Sequence, residues 1–502
     1  AMKMLHELRT EFPVRVLSVN VDVGDLVSAE ELLLVLDAGA SASRGSDSPS
    51  APLPARNEEP AARPILEEFR QRLAYTEDAQ RPEAVARRHA QGMRTARENI
   101  ADLCDAGSFV EYGALAIAAQ RRRRSVDDLV RNTPADGMVT GIGSVNGKEF
   151  GLERSRSVVM AYDATVLAGT QGMNNHQKTD RLLGIALEQR LPVVLFAEGG
   201  GGRPGDVDAP VVAGLHLATF ANYARLSGKV PLIGIAAGRC FAGNAALLGC
   251  SDVIIATRRS NIGMGGPAMI EGGGLGTYAP EQIGPGNVQA ANGVIDILVD
   301  DEAEAVSVAK SYLGYFQGRL ESWNAADQTQ LRDVLPAGRN VSYRMNDVLR
   351  LLFDAGSVLE LRAGFGVGIV TALARLEGRP VGVLANNPMH LGGAIDAPAA
   401  DKAARFISLC DSHGLPLVSL IDTPGFMVGP AIEEQAQVRH VSRLFLHAAH
   451  LRVPFLAVVL RKGYGLGAMA MAGGGFHMPA ATVAWASGEF GAMGLEGAVR
   501  LG

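Results

Sequence analysis

The chain has 502 residues, enough for two to four domains and a large core. Its composition is 47% apolar and 20% charged with only 5% aromatic, as in a folded globular protein, and a net charge of −6 argues against a nucleic-acid binder, which would show a basic face. The four cysteines, Cys104, Cys240, Cys250 and Cys410, lack metal-ligand spacing and read as reduced residues of a cytoplasmic-type compartment, and no apolar run spans a bilayer free of charge or turn residues.

Residues 1–38 open the chain. Arg15–Asn20 and Glu31–Val35 are β-like, and Val23-Gly24-Asp25 supplies a turn. Residues 39–63 are Ala, Ser, Pro, Gly and Glu with almost no large apolar side chains, the composition of a flexible linker that would raise the effective concentration of whatever it tethers. PILEEFRQRL and then PEAVARRHAQGMRTARENIADLCDAG carry helical spacing, with Gly107 as the stop of the second. Arg121–Arg124 is either an exposed, solvated loop or a contact for nucleotide phosphates.

From Asp136 the pattern alternates strands and helices. MVTGIGSVNGKEFGLERS reads as a hairpin with Asn146-Gly147 as a two-residue turn. There follow a strand (VVMAYDAT), a helix (MNNHQKTDRLLGIALEQR), a strand at Pro192–Phe196 and the loop EGGGGRPGD. A helix through His216–Leu226, strands at Val230–Ile235 and Val253–Ala256, and the helix EAEAVSVAKSYLGYFQGRL complete the unit. The same order then recurs: a hairpin turning at Glu377-Gly378, the helix ADKAARFISLCDSHG, the strand and loop LPLVSLIDTPGF, and LRVPFLAVVLRKGYGLGAMAMAG. Five elements repeating in order imply a duplicated α/β fold with mostly parallel sheets and helices outside.

Side chains able to act as nucleophile, metal ligand or phosphate-binding lysine are missing from the usual motifs. What repeats instead is backbone. Gly199–Gly202 is twinned with Gly425–Gly429, and the glycine/alanine helix start Gly238–Ala245 with Gly463–Ala468. Any one such loop serves close packing; two matched pairs point to main-chain N–H donors for a carbonyl oxygen that gains negative charge.

Two resemblances rest on these residues. AMKM followed by VDVGDLVSAEELLLVL resembles the second half of a biotin carboxyl carrier domain, which implies a biotinylated Lys3 on a hairpin; the plainer alternative is an exposed lysine. Residues 64–502 resemble the carboxyltransferase component of biotin-dependent acyl-CoA carboxylases, a duplicated crotonase-type (ββα-superhelix) fold. The matching stretches are GIGSVNGKEFGL, EGGGGRPGD, AAGRCFAGNAALLGCSDVIIA, NIGMGGPAMI, ANNPMHLGGAID, IDTPGFMVG, RKGYGLGAMAMAG and WASGEFGAMGLEGAV. The implied organisation is a partial carrier at 1–38, a linker at 39–63, an N-domain at 64–335 and a truncated C-domain at 336–502. A biotin carboxylase using ATP, Mg and bicarbonate would precede this excerpt in the same polypeptide. The resemblance also implies that Gly201 and Gly202 hold the oxygen of a coenzyme A thioester. Gly425, Phe426 and Gly429, with Gly465, Gly467 and Ala468, would receive biotin. Carboxybiotin would release CO2, the biotin enolate would take the thioester α-proton, and the thioester enolate would attack CO2, with no metal at this step. Partners implied are acyl-CoA and a homo-oligomer, a dimer at least and usually a hexamer, in the cytoplasm, with neither nucleic acid nor membrane.

The four-glycine loop and Pro430-Ala431-Ile432 depart from the family pattern and would suit a roomier or longer acyl group. Three other readings follow from the same residues. The first is a biotin-dependent decarboxylase or transcarboxylase. The second is a crotonase-type hydratase or isomerase using Glu198 and Glu271. The third is a scaffold that only docks the carrier.

Overall fold

The computed structural model describes residues 14–22, 27, 31–37, 63–208, 215–338 and 341–501. These fall into two units, Ala1–Arg63 and Pro64–Gly502. In the first, β1 (Arg15–Val19) and β2 (Leu34–Asp37) pair antiparallel. Val16, Leu17, Val19 and Leu34 are exposed, as expected of a two-stranded piece with no second layer to cover it. Lys3 and all of the linker except Arg63 lie outside the described residues.

The second unit begins with helices Pro64–Ala74, Pro82–Ala90 and Ala96–Leu103. The long helix expected to run to Gly107 is therefore two helices, broken at Gln91–Arg94, where Gly92 takes φ +67°. The restart is a capping box: the Thr95 hydroxyl accepts from Glu98 N at 3.1 Å and the Glu98 carboxylate accepts from Thr95 N at 2.7 Å. That Thr-x-x-Glu signal lies in the sequence, inside a stretch whose helical spacing masks it.

The strands that follow are β3 (Val110–Glu111), β4 (Met138–Ser144), β5 (Arg156–Tyr162), β6 (Val193–Phe196), β7 (Leu232–Ala236), β8 (Arg239–Phe241), β9 (Val253–Thr257), β10 (Asn261–Gly263) and β11 (Ile297–Val299). Next come β12 (Leu359–Leu361), β13 (Ile369–Leu376), β14 (Arg379–Asn386), β15 (Leu417–Thr423), β16 (Phe455–Tyr464), β17 (Ala481–Ala484) and β18 (Glu489–Gly491). One sheet has the order β11-β9-β7-β6-β5-β4-β3; the other runs β12-β13-β14-β15-β16-β17, with β18 also on β16. Both have two antiparallel pairings at one end and parallel pairings after them. The duplication keeps register: Val158 pairs with Val193 and Gly382 with Leu417, each partner 224 residues further on. The crossover helices Met173–Gln189 and Ala397–Ser412 begin at the same spacing. Both are as expected.

The second hairpin turns at Glu377 and Gly378 (φ +51° and +76°), as expected. The first does not turn at Asn146-Gly147. Asn146 is left-handed (φ +63°), but residues 145–155 form two short helical turns, and β4 pairs with β5 instead. Tertiary contacts override the local preference. Asn146 Nδ2 donates to Lys310 O and Gln317 Oε1, both at 2.8 Å, on the helix Glu302–Gln317, and Gly147 N donates to Asp105 Oδ2 at 2.9 Å. The helix expected over His216–Leu226 is shorter, Thr219–Ala224.

Successive residues of β6 serve two cores, as the period of two requires. Val193 and Leu195 face one cluster with Leu182, Leu232 and Tyr223. Val194 and Phe196 face another that continues through Tyr312 and Leu313 into Leu373, Leu384, Ile407 and Leu417 of the second half. Both faces of this mixed sheet are thereby covered at its parallel strands, which explains their near-continuous apolar runs. Among the described residues no helix is long and apolar enough to cross a membrane.

Candidate active site

The first glycine loop leaves the buried end of β6. Gly199 N donates to Arg239 O at 2.7 Å and Phe241 N donates back to Gly199 O at 2.8 Å, zipping the loop to β8. Gln171 N donates to Gly201 O at 2.7 Å, and Arg203 N donates to Gln171 O at 2.9 Å. Gly201 N–H is spent as well, on Asn244 Oδ1 at 2.8 Å. Asn244 is fully buried, and its amide also donates to Glu198 O at 2.9 Å and Gly169 O at 3.2 Å. That leaves two of the four glycine N–H groups, those of Gly200 and Gly202, with no protein acceptor among the described residues, and Gly202 is the one beside the helix start described next.

A helix start lies against the loop. Gly201 has φ +90°, and a Cβ there would sit 2.7 Å from Ala242 Cβ and 3.4 Å from Gly243 N. The helix Gly243–Gly249 follows Ala242, itself at φ +51°. First-turn N–H groups have no partner inside their own helix, so Gly243 N–H is a second donor beside Gly202. A cavity of about 760 Å³ opens against Gly199 and Gly200, with Phe241, Arg239, Arg259 and Pro267 on its walls.

A buried ionic bracket holds the loop. Arg203, next after Gly202, pairs with Asp136 and lies 3.5 Å from Asp206; the three side chains are 4%, 0% and 6% exposed. Arg203 Nη2 also donates to Thr170 O at 2.8 Å. The two aspartates cap the helix Met173–Gln189, accepting from Asn175 N at 2.7 Å and Met173 N at 2.9 Å. Burial pushes the Asp136 carboxyl above its usual range, and Arg203 pulls it back only in part.

The second loop repeats this geometry. Ile395 N donates to Gly425 O at 3.0 Å and Met427 N donates to Ile395 O at 2.9 Å, so Phe426 occupies the place of Gly202 with its N–H likewise unspent among the described residues. One exchange differs. Gly425 N donates to Thr423 Oγ1 at 3.1 Å, and Gly467 has no side chain to do what Asn244 does; a Cβ there would sit 2.7 Å from Gly425 Cα. Gly465 (φ +59°) starts the helix Gly465–Met471, and Ala468 is buried in its first turn. Gly429 (φ +123°) precedes the turn Pro430–Glu433, with open space where a Cβ would be. The expected residues thus gather in two sets: Gly201 and Gly202, and Gly425, Phe426, Gly465, Gly467 and Ala468, with Gly429 further along its loop. No hydrogen bond of the described residues joins the two loops.

The acids beside the loops are committed elsewhere. Glu198 takes a bidentate contact from Arg88, at 2.6 and 2.5 Å, with Glu302 3.9 Å away. Burial pulls the Arg88 guanidinium down, and the Glu198 hydrogen bond and charge more than reverse that. Asp422, 224 residues on from Glu198, accepts from Tyr343 Oη at 2.9 Å and Arg461 Nε at 3.1 Å. Glu271 is exposed on Pro267–Gly272. A carboxylate gripped by a buried arginine is a poor general acid or base, so the hydratase reading loses Glu198. Asn244 and Arg203 were visible within motifs already singled out, as polar residues in alanine- and glycine-rich runs; Gln171 lies outside every such stretch, and Ile395, inside ANNPMHLGGAID, acts through its backbone, which its residue type does not announce.

The family model for the carboxyl transferase domain matches residues 87–501. A solved single-chain, multi-domain long-chain acyl-CoA carboxylase is 57% identical with a TM-score of 0.85, covering 100% of this chain and 48% of its own. This chain therefore spans about half of that protein. The solved transcarboxylase 12S hexamer, with methylmalonyl-coenzyme A bound, is 32% identical with a TM-score of 0.75, covering 87% and 85%. The long chain acyl-coenzyme A carboxylase beta4 subunit of Mycobacterium tuberculosis is 33% identical over 452 residues, 87% of this chain and 82% of its own.

Proposed function

We infer the reaction from a plain premise: the chain belongs to the carboxyl transferase family. It is the carboxyltransferase component of a biotin-dependent acyl-CoA carboxylase and transfers a carboxyl group from carboxylated biotin to the α carbon of an acyl-CoA thioester. The observation that carries this is the repeated loop with an unspent N–H at the same place in each half, Gly202 in one and Phe426 in the other.

Gly202 N–H and Gly243 N–H hold the thioester oxygen. Charge gathers there as the α-proton leaves, and one such donor is worth about 2.7–4 kcal/mol in enzymes where it has been removed. Phe426 N–H and the Gly465–Ala468 helix start hold the carbonyl oxygen of the biotin ring, and the absence of a side chain at Gly467 lets that helix start approach the backbone of Gly425 and Phe426. When bound, biotin supplies the carboxyl group and the base for the α-proton. Asn244 and Arg203 keep the first loop fixed, so that little reorganisation is needed as charge develops.

The remaining assignments have narrower support. The 57% identity along the full chain supports a carrier at 1–38 with biotin on Lys3. It supports equally an ATP-, Mg- and bicarbonate-using carboxylase part in the same polypeptide and a long or broad acyl range. The 12S likeness supports a hexamer. We keep 64–335 and 336–502 as the two domains and the cytoplasm as the location. The test is decarboxylation of carboxylated acyl-CoAs, from malonyl to long-chain, with and without free biotin. Turnover that requires biotin is expected, strongest for long chains. Enoyl-CoA hydration without biotin would overturn the reading.

A further inference from the structure

A second cavity, of about 380 Å³, lies between the helix Pro64–Ala74, the segment 112–121 and the helix Met173–Gln189. Arg72, Arg121, Lys178 and Arg181 line it, with no carboxylate among its lining residues. In a chain of net charge −6 this is a local concentration of positive charge. Among the described residues, the guanidinium groups of Arg72, Arg121 and Arg181 have no carboxylate within salt-bridge reach. Arg72 Nε is buried with no partner, and Arg72 Nη2 reaches Leu115 O only at 3.4 Å. Lys178 forms the inner wall, its Nζ held by Ala135 O at 3.0 Å and Met138 O at 2.5 Å.

The four-arginine run is divided by the fold. Arg124 is spent on Asp128 at 2.5 Å, and the backbone N–H groups of Arg121 and Arg122 are held by Asp208 at 2.8 and 3.0 Å. Of the four, only Arg121 reaches the cavity. The segment after the glycine loop secures this wall, since Asp206 accepts from Gln120 Nε2 at 3.1 Å.

Three guanidinium groups around one concavity repel one another when it is empty. A tetrahedral dianion relieves this, and guanidinium forks match its oxygens two at a time. Leu115, Ile117 and Leu182 add an apolar floor, and the volume is that of a small-molecule site. We propose that this cavity binds a phosphate-bearing small molecule through Arg72, Arg121 and Arg181. Two sources share that chemistry: the nucleotide end of the acyl-CoA, and a separate phosphorylated metabolite. Only the choice between them draws on the carboxyl-transfer reading.

Adenosine 3′,5′-bisphosphate, which carries phosphates but no thioester, is titrated calorimetrically into the full chain, its Arg121→Gln/Arg181→Gln variant, and Arg122→Gln as an exposed control outside the cavity. We expect one saturable event that the double variant weakens by about ten-fold or more, with unchanged thermal midpoint and an unaffected control. No saturable binding, undiminished binding in the double variant, or an equal loss in the control would each overturn the site. Acyl-CoA kinetics then name the source. A several-fold rise in KM at constant kcat in the double variant identifies the thioester's nucleotide end, and an unchanged KM identifies a separate ligand; either result retains the site. Because binding is read without turnover, failure of the site and failure of the carboxyl-transfer reading are separate outcomes.

Discussion

Replacing Arg203 by methionine keeps most of the side-chain volume and removes the positive centre of the bracket beneath Gly202. Asp136, fully buried, would be left without its cation, and Thr170 O would lose a 2.8 Å donor. Breaking one side of a buried pair costs about 3–5 kcal/mol, chiefly because the remaining charge has no solvent. Urea unfolding should show a loss of that size. Asp136→Asn in the same chain should recover part of it, with an interaction energy of about 1–3 kcal/mol in the double-mutant cycle. The pH dependence has a definite sign. The folded Asp136 carboxyl already titrates above its ordinary value, from burial first, and losing Arg203 raises it further. A raised acid is stabilised relative to the unfolded chain below its folded pKa, and that contribution is lost as pH rises through it. The Arg203→Met deficit should therefore shrink on going from about pH 8 to about pH 5.5 as Asp136 takes up a proton. Turnover at saturating acyl-CoA should fall with the loosened loop. A deficit that stays constant or grows toward acid pH, or additive single variants, would refute the bracket.

Gly201 and Gly202 should separate stability from turnover. Gly201→Ala forces a side chain into φ +90° and onto Ala242, costing about 1–3 kcal/mol by thermal or urea unfolding. Gly202→Val has open space and should fold, yet screen its N–H and lower kcat by about 10–100-fold with a smaller change in KM. Of the four thiols only Cys250 is exposed, and burial pushes Cys104 up to about 12. An aromatic disulfide reagent should titrate one thiol in the native protein and all four in denaturant; a second fast thiol would mean that the core opens. Lys3→Arg should abolish coupled carboxylation in the intact carboxylase while leaving transfer with free biotin largely unchanged, and equal loss of both would contradict the carrier assignment.

Much of the fold was legible because apolar periodicity and glycine placement are local properties. The twin helices, the parallel strands and the Glu377-Gly378 turn followed from neighbours in sequence. Asn146-Gly147 was misleading because its outcome depends on Lys310 and Gln317, far along the chain, which capture the asparagine amide. The helix break at Gln91–Arg94 was readable from Thr95 and Glu98, but helical spacing on both sides concealed it.

The candidate site divides in the same way. That function rests on two glycine loops, each beside a glycine/alanine helix start, is written in the order of residue types, because only residues without bulky side chains allow backbone to approach backbone so closely. Which N–H is free is decided elsewhere. Gly201 and Gly202 are chemically identical neighbours, yet Asn244 consumes one donor and Gln171 orients the other outward. The replacement of Asn244 by Gly467 in the second half likewise acquires meaning only from the partners around it. Sequence alone determined the duplication and the backbone character of the site. Tertiary structure decided which donors remain for a ligand, because a hydrogen bond is a matter of direction and distance between groups that the chain order leaves far apart.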